Sequence, residues 1–343
     1  MISSISPELL TAALLLIPFS YLITQGYRQY ALRQKILDIP NQRSSHETPT
    51  PRGGGVSIII CYSLITLALS ELGIFTTNQT LTLLIASLPV ALVGLIDDHK
   101  PIPSSIRFAV HFISAATALA VFELSPALQI GNIEVGIDGF WIIPAAICLT
   151  WLTNLYNFMD GIDGIASTEA IAVLAGVIVV SGTHTTEYLP LLFIAPIAGF
   201  LILNWAPAKI FMGDAGSGFI GAFIGMLAIT LAAEETTNLW VWVILLSTFI
   251  ADTTWTLATR FLSGQKWSEP HRSHSYQVLS RKFDSHAAVN IGNIAIIVLW
   301  LTPLACAAQK LPHLAIAFTV IAYLPLFLTA KKLKAGLPEH ASI

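Results

Sequence analysis

The chain has 343 residues, 55% of them hydrophobic and only 11% charged, with a mean hydropathy of +0.72 and a formal net charge of -3. So few charges cannot clothe one or two water-soluble globules, which excludes the soluble classes and leaves a polytopic membrane protein. The net charge itself decides little, because orientation follows from where the 17 Lys and Arg fall between the apolar runs. Cys61, Cys148 and Cys306 lie inside such runs without CxxC spacing, so they read as small buried hydrophobes and not as a disulfide framework or a zinc site.

The first apolar stretch, Leu9 to Ile23, has no basic segment before it and no small-residue cleavage pattern after it, and reads as a retained first span. Taken in order, spans fall near 7–25, 55–74, 80–96, 105–123, 139–156, 165–181, 188–204, 215–233, 239–260, 287–307 and 312–330. Backbone polar groups in lipid must be satisfied internally, and these runs are too long and too uniformly apolar for alternating barrel strands. The expectation is therefore an all-α bundle of about eleven transmembrane helices, one membrane-embedded domain over 1–343, without a soluble domain. With eleven spans the loops alternate sides, and 16 of the 17 Lys and Arg then share one face, Lys310 being the exception. Positive charge marks the cytoplasmic side, so the N-terminus is expected outside and the C-terminus in the cytoplasm. No internal repeat is visible, so an inverted-repeat transporter gains no support.

The chemistry-bearing residues all fall in loops on the basic face. The first carries Arg43-Ser-Ser-His46 and Arg52-Gly-Gly-Gly55. Arg43 could serve only to anchor anionic headgroups, whereas Arg52 beside three glycines suits close approach of a phosphate. The second ends an apolar run with Asp97-Asp98; adjacent helical residues point about 100° apart, so one carboxylate can face a metal while the other faces a substrate proton. A plain polar helix end is the alternative. The third, Asn154-Leu-Tyr-Asn157-Phe-Met-Asp160-Gly-Ile-Asp163-Gly164, sits between two apolar runs, and is either a site with two carboxylates at membrane depth or only a tight turn. The fourth runs from Asn204 through Phe211 to Asp214-Ala-Gly-Ser-Gly218, where a carboxylate at a helix start offers an oxygen ligand, and the helix start free N–H groups, unless Asp214 is an N-cap alone. The fifth holds His271-Arg272-Ser-His274; Arg272 between the histidines suits phosphate oxygens better than zinc. Carboxylate ligands shared with phosphates favour magnesium (Mg2+). Acidic and basic loops on one membrane face together point to phosphoryl chemistry on a nucleotide and a lipid.

These motifs, in this order over roughly residues 38–280, resemble the polyprenyl-phosphate N-acetylhexosamine-1-phosphate transferases, relatives of phospho-MurNAc-pentapeptide translocase. The resemblance implies an Mg2+-dependent phosphotransferase, with Mn2+ as a substitute metal, that moves a sugar 1-phosphate from a UDP-N-acetylhexosamine to undecaprenyl phosphate and releases UMP. It implies a multi-pass protein of the bacterial inner membrane with its site facing the cytoplasm. Partners would be those two substrates and the surrounding lipids, with a second copy of the chain as a further partner and no nucleic acid. Carried over by residue, Asp214 resembles the metal ligand, Asp97 the group that deprotonates the lipid phosphate, and Asp98 its neighbour in both catalysis and metal binding. Asn157, Asp160, Asp163, Asn204 and Phe211 resemble the nucleotide pocket; Arg52, His46, His271, Arg272 and His274 would hold the diphosphate or sugar. The translocase has three consecutive histidines where this chain has His-Arg-Ser-His, which argues against the peptidoglycan substrate. The Arg43 to Gly55 loop is most similar to the subgroup that initiates O-antigen lipopolysaccharide with UDP-N-acetylfucosamine or a similar sugar. A transporter or flippase, the reading from another class, needs polar midplane residues and a second vestibule.

Overall fold

The computed structural model describes residues 7–40, 45, 48–121, 126–182, 189–266 and 271–338. Its helices are α1 (Pro7–Gln34), α2 (Val56–Glu71), α3 (Thr77–His99), α4 (Ser104–Val121), α5 (Ile142–Met159), α6 (Ile165–Ser181), α7 (Leu189–Asn204) and α8 (Gly213–Ala233). They continue as α9 (Leu239–Leu245), α10 (Ser247–Leu262), α11 (Ser275–Phe283), α12 (His286–Ile296), α13 (Thr302–Lys310) and α14 (Ala315–Lys332), with a π-helical turn, Ile297–Leu301, joining α12 to α13. The chain is a polytopic helical membrane protein.

Each expected span coincides with a helix or a joined pair of helices, but their lengths differ. Seven are long and apolar enough to cross a bilayer, or eight if α9 and α10 count as one span. The remaining three, α2, α6 and α7, have 16, 17 and 16 residues, short of the roughly 20 that a straight span takes. Span ends are set by local chemistry. Thr76 and Gln79 form a capping box at the start of α3, and the Asn238 side chain accepts from the Val241 amide to start α9.

Burial ranks the helices. Within its most apolar window α8 is 94% buried, against 17% for α1 and for α14, so α8 is the hub and the terminal helices present their apolar faces outward, to lipid. Around α8, Tyr62 meets the rings of Phe193, Phe219 and Phe223 at centroid distances of 4.9, 5.8 and 4.7 Å. The Tyr62 hydroxyl is satisfied by the Phe193 carbonyl at 2.8 Å. Small residues let the backbones touch: a Cβ on Gly94 would lie 2.6 Å from the Ala215 amide, so α3 lies directly against α8.

Five features depart from the sequence reading. The span expected at 239–260 is broken at Leu246, where α9 and α10 meet at 68°. Just past the break Thr248 donates to both carboxylate oxygens of buried Glu169 on α6, at 2.9 and 3.0 Å, and Asn293 of α12 donates to Oε2 at 2.5 Å, tying the bend to its neighbours. A hairpin of β3 (Ala127–Ile130) and β4 (Ile133–Gly136) projects between α4 and α5, turning at Gly131 with φ of 60°. It is held by the Trp240 indole, which donates to the Gln129 carbonyl at 2.6 Å. Helix α11 folds in the fifth basic loop, in too polar a stretch to read as a span. Of the three cysteines only Cys61 is buried; Cys148 lies on the exposed outer face of α5, where lipid and not core surrounds it. A short ribbon of β1 (Leu37–Asp38) with β2 (Thr50–Pro51) brings the first loop back to the bundle.

Candidate active site

Five chain segments converge at one end of the bundle, around the start of α8. Gly213 opens that helix with φ of 79°, and a Cβ there would lie 2.5 Å from Asp98 Oδ2 and 2.8 Å from the Gly53 amide, so the position admits only glycine. The preceding residue, Met212, offers no capping side chain. Asp98 of α3 supplies the cap: its Oδ1 and Oδ2 accept from the Asp214 and Ala215 amides at 3.0 and 3.2 Å. The first loop docks against the same place, with the Gly54 and Gly55 amides donating to the Phe211 and Met212 carbonyls at 2.9 Å each. Arg52 lies beside them and donates from Nη2 to the Asp98 carbonyl at 2.6 Å.

Asp97 points the other way, as one residue of helical rotation requires. Its Oδ1 accepts from the Ile102 amide at 2.6 Å and its Oδ2 from Arg107 Nη1 at 2.7 Å. The same Arg107 nitrogen contacts Asp214 Oδ2, so one guanidinium bridges carboxylates from α3 and α8. From α5, Asn157 donates to the Ser217 hydroxyl at 3.1 Å. Asp160 ends α5 and, among the described residues, its carboxylate accepts no hydrogen bond. Burial, and then the neighbouring Asp214, Asp98 and Asp163, push its pKa well above the usual carboxylate range.

Asp163 and Asn204 are turned to a different task. Asp163 Oδ2 accepts from the Ala208 amide at 3.0 Å with His286 Nδ1 3.4 Å away, and its carbonyl accepts from Asn290 at 2.7 Å. Asn204 is buried, donates to the Ile210 carbonyl at 3.0 Å and accepts from the Ser167 hydroxyl at 3.3 Å. Both side chains shape the loop between α7 and α8 that carries half-buried Phe211, whose amide donates to the Pro51 carbonyl at 2.8 Å.

The fifth loop forms a second cluster. Asp252 of α10 accepts from the Ser275 and Tyr276 amides at 2.8 and 3.0 Å and from the Thr256 hydroxyl at 3.1 Å, capping α11. His274 Nδ1 lies 3.6 Å from Asp252 Oδ1. The His271 and His274 rings stack at 4.9 Å, and His274 stacks on Tyr276 at 5.7 Å. Burial, and then the neighbouring His274 and Arg260, lower the His271 pKa to about 3, which leaves its ring neutral at neutral pH. Arg260 is buried and grips the Gln265 side chain and the Lys266 carbonyl, both at 2.9 Å. The Arg272 carbonyl accepts from Arg281 at 3.0 Å. Tyr276 joins the two clusters: its hydroxyl donates to the Phe158 carbonyl at 3.0 Å and lies over Gly161.

Asp97, Asp98, Asp214, Arg52, Asn157 and Asp160 thus come together. His271, Arg272 and His274 stand in the adjoining cluster, and Asp163 and Asn204 beneath the loop. Arg43 and His46 lie outside the described residues. Sequence reasoning missed Arg107, Asp252, Arg260 and Tyr276. Arg107 and Arg260 count there only as basic-face charges, and Asp252 is a lone acid inside an apolar run, which is itself the signal that could have found it.

The central part of the chain, residues 80–232, matches the family model for glycosyl transferase family 4. A probable undecaprenyl-phosphate N-acetylglucosaminyl 1-phosphate transferase of Bacillus subtilis is 28% identical over 272 residues, 75% of this chain and 73% of the relative. A decaprenyl-phosphate N-acetylglucosaminephosphotransferase of Mycolicibacterium smegmatis is 27% identical over 338 residues, 88% of this chain and 80% of the relative. A phospho-N-acetylmuramoyl-pentapeptide-transferase of Moorella thermoacetica is 31% identical over a shorter 202 residues, 54% of this chain and 62% of the relative.

Proposed function

We propose that this chain, whose residues 80–232 belong to glycosyl transferase family 4, transfers N-acetylhexosamine 1-phosphate from a UDP-sugar to undecaprenyl phosphate in the inner membrane and releases UMP on the cytoplasmic side. One observation carries the reading: Asp97 and Asp214, 117 residues apart, converge on the Arg107 guanidinium at the end of a membrane bundle where Arg52 holds the Asp98 carbonyl. Carboxylates meeting a cation, next to further positive charge, suit a diphosphate that must be bound and cleaved.

The donor set also fits magnesium. Among the described residues no three His, Cys, Asp or Glu side chains are arranged as a closed metal cage. Magnesium needs only one or two carboxylates and keeps waters and substrate phosphates as its other ligands, and the two carboxylates already share one positive group. Asp214 would hold it, and it would supply charge neutralisation on the phosphate oxygens. Asp98, with both oxygens spent on α8, fixes where Asp214 points. Asp97 takes the proton of the lipid phosphate, whose oxygen attacks the β-phosphorus of the UDP-sugar, and UMP leaves. Arg52 binds phosphate oxygens, and Phe211, on the loop shaped by Asp163 and Asn204, stacks on uracil. Neutral His271, with His274 and Arg272, faces the sugar phosphate. The His-Arg-Ser-His loop and the Arg52 glycine loop favour an O-antigen sugar over the peptidoglycan donor.

The test incubates purified protein in lipid nanodiscs with magnesium, undecaprenyl phosphate and a panel of UDP-N-acetylhexosamines. UMP and a lipid diphosphosugar should form together, and only when both substrates are present. No UMP with any sugar, or sugar flux across vesicles without UMP, overturns the proposal.

A further inference from the structure

The acidic end of the bundle has an unequal charge balance. Four carboxylates, Asp97, Asp98, Asp160 and Asp214, are gathered at one end of the bundle, where like charges repel. The α8 N-terminus meets the charge of Asp98 through two amides. Asp97 has the Ile102 amide on one oxygen, and the only cation that meets Asp97 and Asp214 among the described residues is Arg107, through a single nitrogen, Nη1. A guanidinium has five donors and does not lose its proton, so it can leave a carboxylate only by exchanging partners. Exchange is open to it: the side chains of Arg107, Asp97 and Asp214 are 27%, 16% and 32% exposed.

Resting on the functional reading above, we propose that Arg107 is the internal counter-cation of this site: it holds the Asp97 and Asp214 carboxylates apart from a divalent cation until the substrate phosphates arrive, then trades the carboxylates for phosphate oxygens. The same oxygens cannot serve both Arg107 Nη1 and a hard divalent cation that needs direct contact with them. Arg107 therefore competes with the metal in the free protein. Once a diphosphate is present, the displaced guanidinium has two parallel donors for its oxygens, and Arg52, which donates to the Asp98 carbonyl, adds a second cation at the same helix end. Metal and diphosphate thereby help one another to bind, because each removes the opposing partner of the other. The exchange also explains why an arginine stands there. A lysine ammonium would pair with one carboxylate as a point charge, whereas the planar guanidinium can span two anions before the exchange and a phosphate after it.

The experiment measures manganese binding, by electron paramagnetic resonance, to the full chain in nanodiscs without nucleotide. Wild type is compared with Arg107→Gln, Arg107→Lys and Asp214→Asn. Removing the competitor should make Arg107→Gln bind manganese about tenfold tighter than wild type, a change of about 1.4 kcal/mol. Arg107→Lys should fall between the two, and it carries the test should the glutamine variant fail to fold. In a second arm, UDP binding at saturating magnesium should weaken about tenfold in Arg107→Gln, since one phosphate contact is lost. Manganese affinity equal to or weaker than wild type in both Arg107 variants overturns the counter-cation while leaving the metal site standing, provided that Asp214→Asn loses manganese. Manganese binding unchanged in Asp214→Asn instead overturns the functional reading's metal site.

Discussion

Two helices in this protein take a cap from a carboxylate on the helix packed beside them: α8 has no capping side chain of its own, and α11 adds the borrowed carboxylate to the Gln277 side chain, which accepts from the His274 amide at 3.3 Å. At α8 the lender is Asp98 of α3; at α11 it is Asp252 of α10. The geometry is nearly the same, two backbone amides on two carboxylate oxygens at 2.8 to 3.2 Å. The surroundings differ. Asp98 stands among Asp97, Asp160, Asp214, Arg52 and Arg107, of which the Arg107 and Asp214 side chains are 27% and 32% exposed. Asp252 is enclosed by Thr256 and by His274, whose ring stacks on Tyr276, and its side chain is 8% exposed. A borrowed cap can thus place a helix start for chemistry in one case and lock a loop in the other.

That distinction breaks most readily at Asp98. Asp98→Ala removes the acceptor for the Asp214 amide and lets the first turn of α8 shift. A misplacement of about 1 Å near the reacting groups costs about 100-fold in rate, so turnover should fall by at least about that factor. Stability should fall by only about 1 kcal/mol, the scale of a lost cap, because removing one of four crowded carboxylates offsets part of the cost of the two freed amides. Turnover near wild type would reduce Asp98 to a structural cap with no bearing on Asp214.

Asp252→Ala should show the opposite balance. It leaves two buried amides and the Thr256 hydroxyl without their acceptor, and a buried unsatisfied group costs about 1 to 3 kcal/mol. The thermal midpoint should drop more than in Asp98→Ala, while turnover drops less. Asp252→Asn, which keeps one acceptor oxygen, should lie between Asp252→Ala and wild type in midpoint. A midpoint in Asp252→Ala no lower than in Asp98→Ala would dissolve the contrast between the two caps.

The sequence separates the two caps only in part, for a physical reason. Asp98 is visible because a pair of acids at the end of an apolar run is costly and out of place. Asp252 carries the same cost but stands alone within its run, and no local spacing shows that it faces an amide 23 residues later. The convergence of Asp97, Asp98 and Asp214 was legible from motif order and from the basic face they share. Arg107 as their partner was not, because hydropathy and charge counts place a residue on a face without saying which of many acids it meets. The helices were legible for the same reason, since lipid dictates them residue by residue. The break at Leu246 depends on Glu169, Thr248 and Asn293 from three different helices meeting in space.

The smallest expected effect sharpens the comparison through pH, because the two clusters differ in which groups can take up protons. In the fifth loop, burial above all, helped by His274 and Arg260, lowers the His271 pKa to about 3, whereas an unfolded histidine titrates near 6.5. The folded protein thus leaves His271 neutral in a range where the unfolded chain binds a proton. Between those two values the unfolded state holds more protons, so stability falls as pH drops below about 6.5. Above that pH both states are neutral and His271 contributes no slope. His271→Gln, which keeps a polar group but cannot titrate, should lose less of its thermal midpoint than wild type between pH 7.5 and pH 5.5, and should match wild type's slope above pH 7.5. Identical midpoint losses in the two proteins would mean that His271 takes up its proton in the folded state. The ring would then meet the substrate as a cation, and the charge of this loop would no longer rest on Arg272 and Arg260 alone.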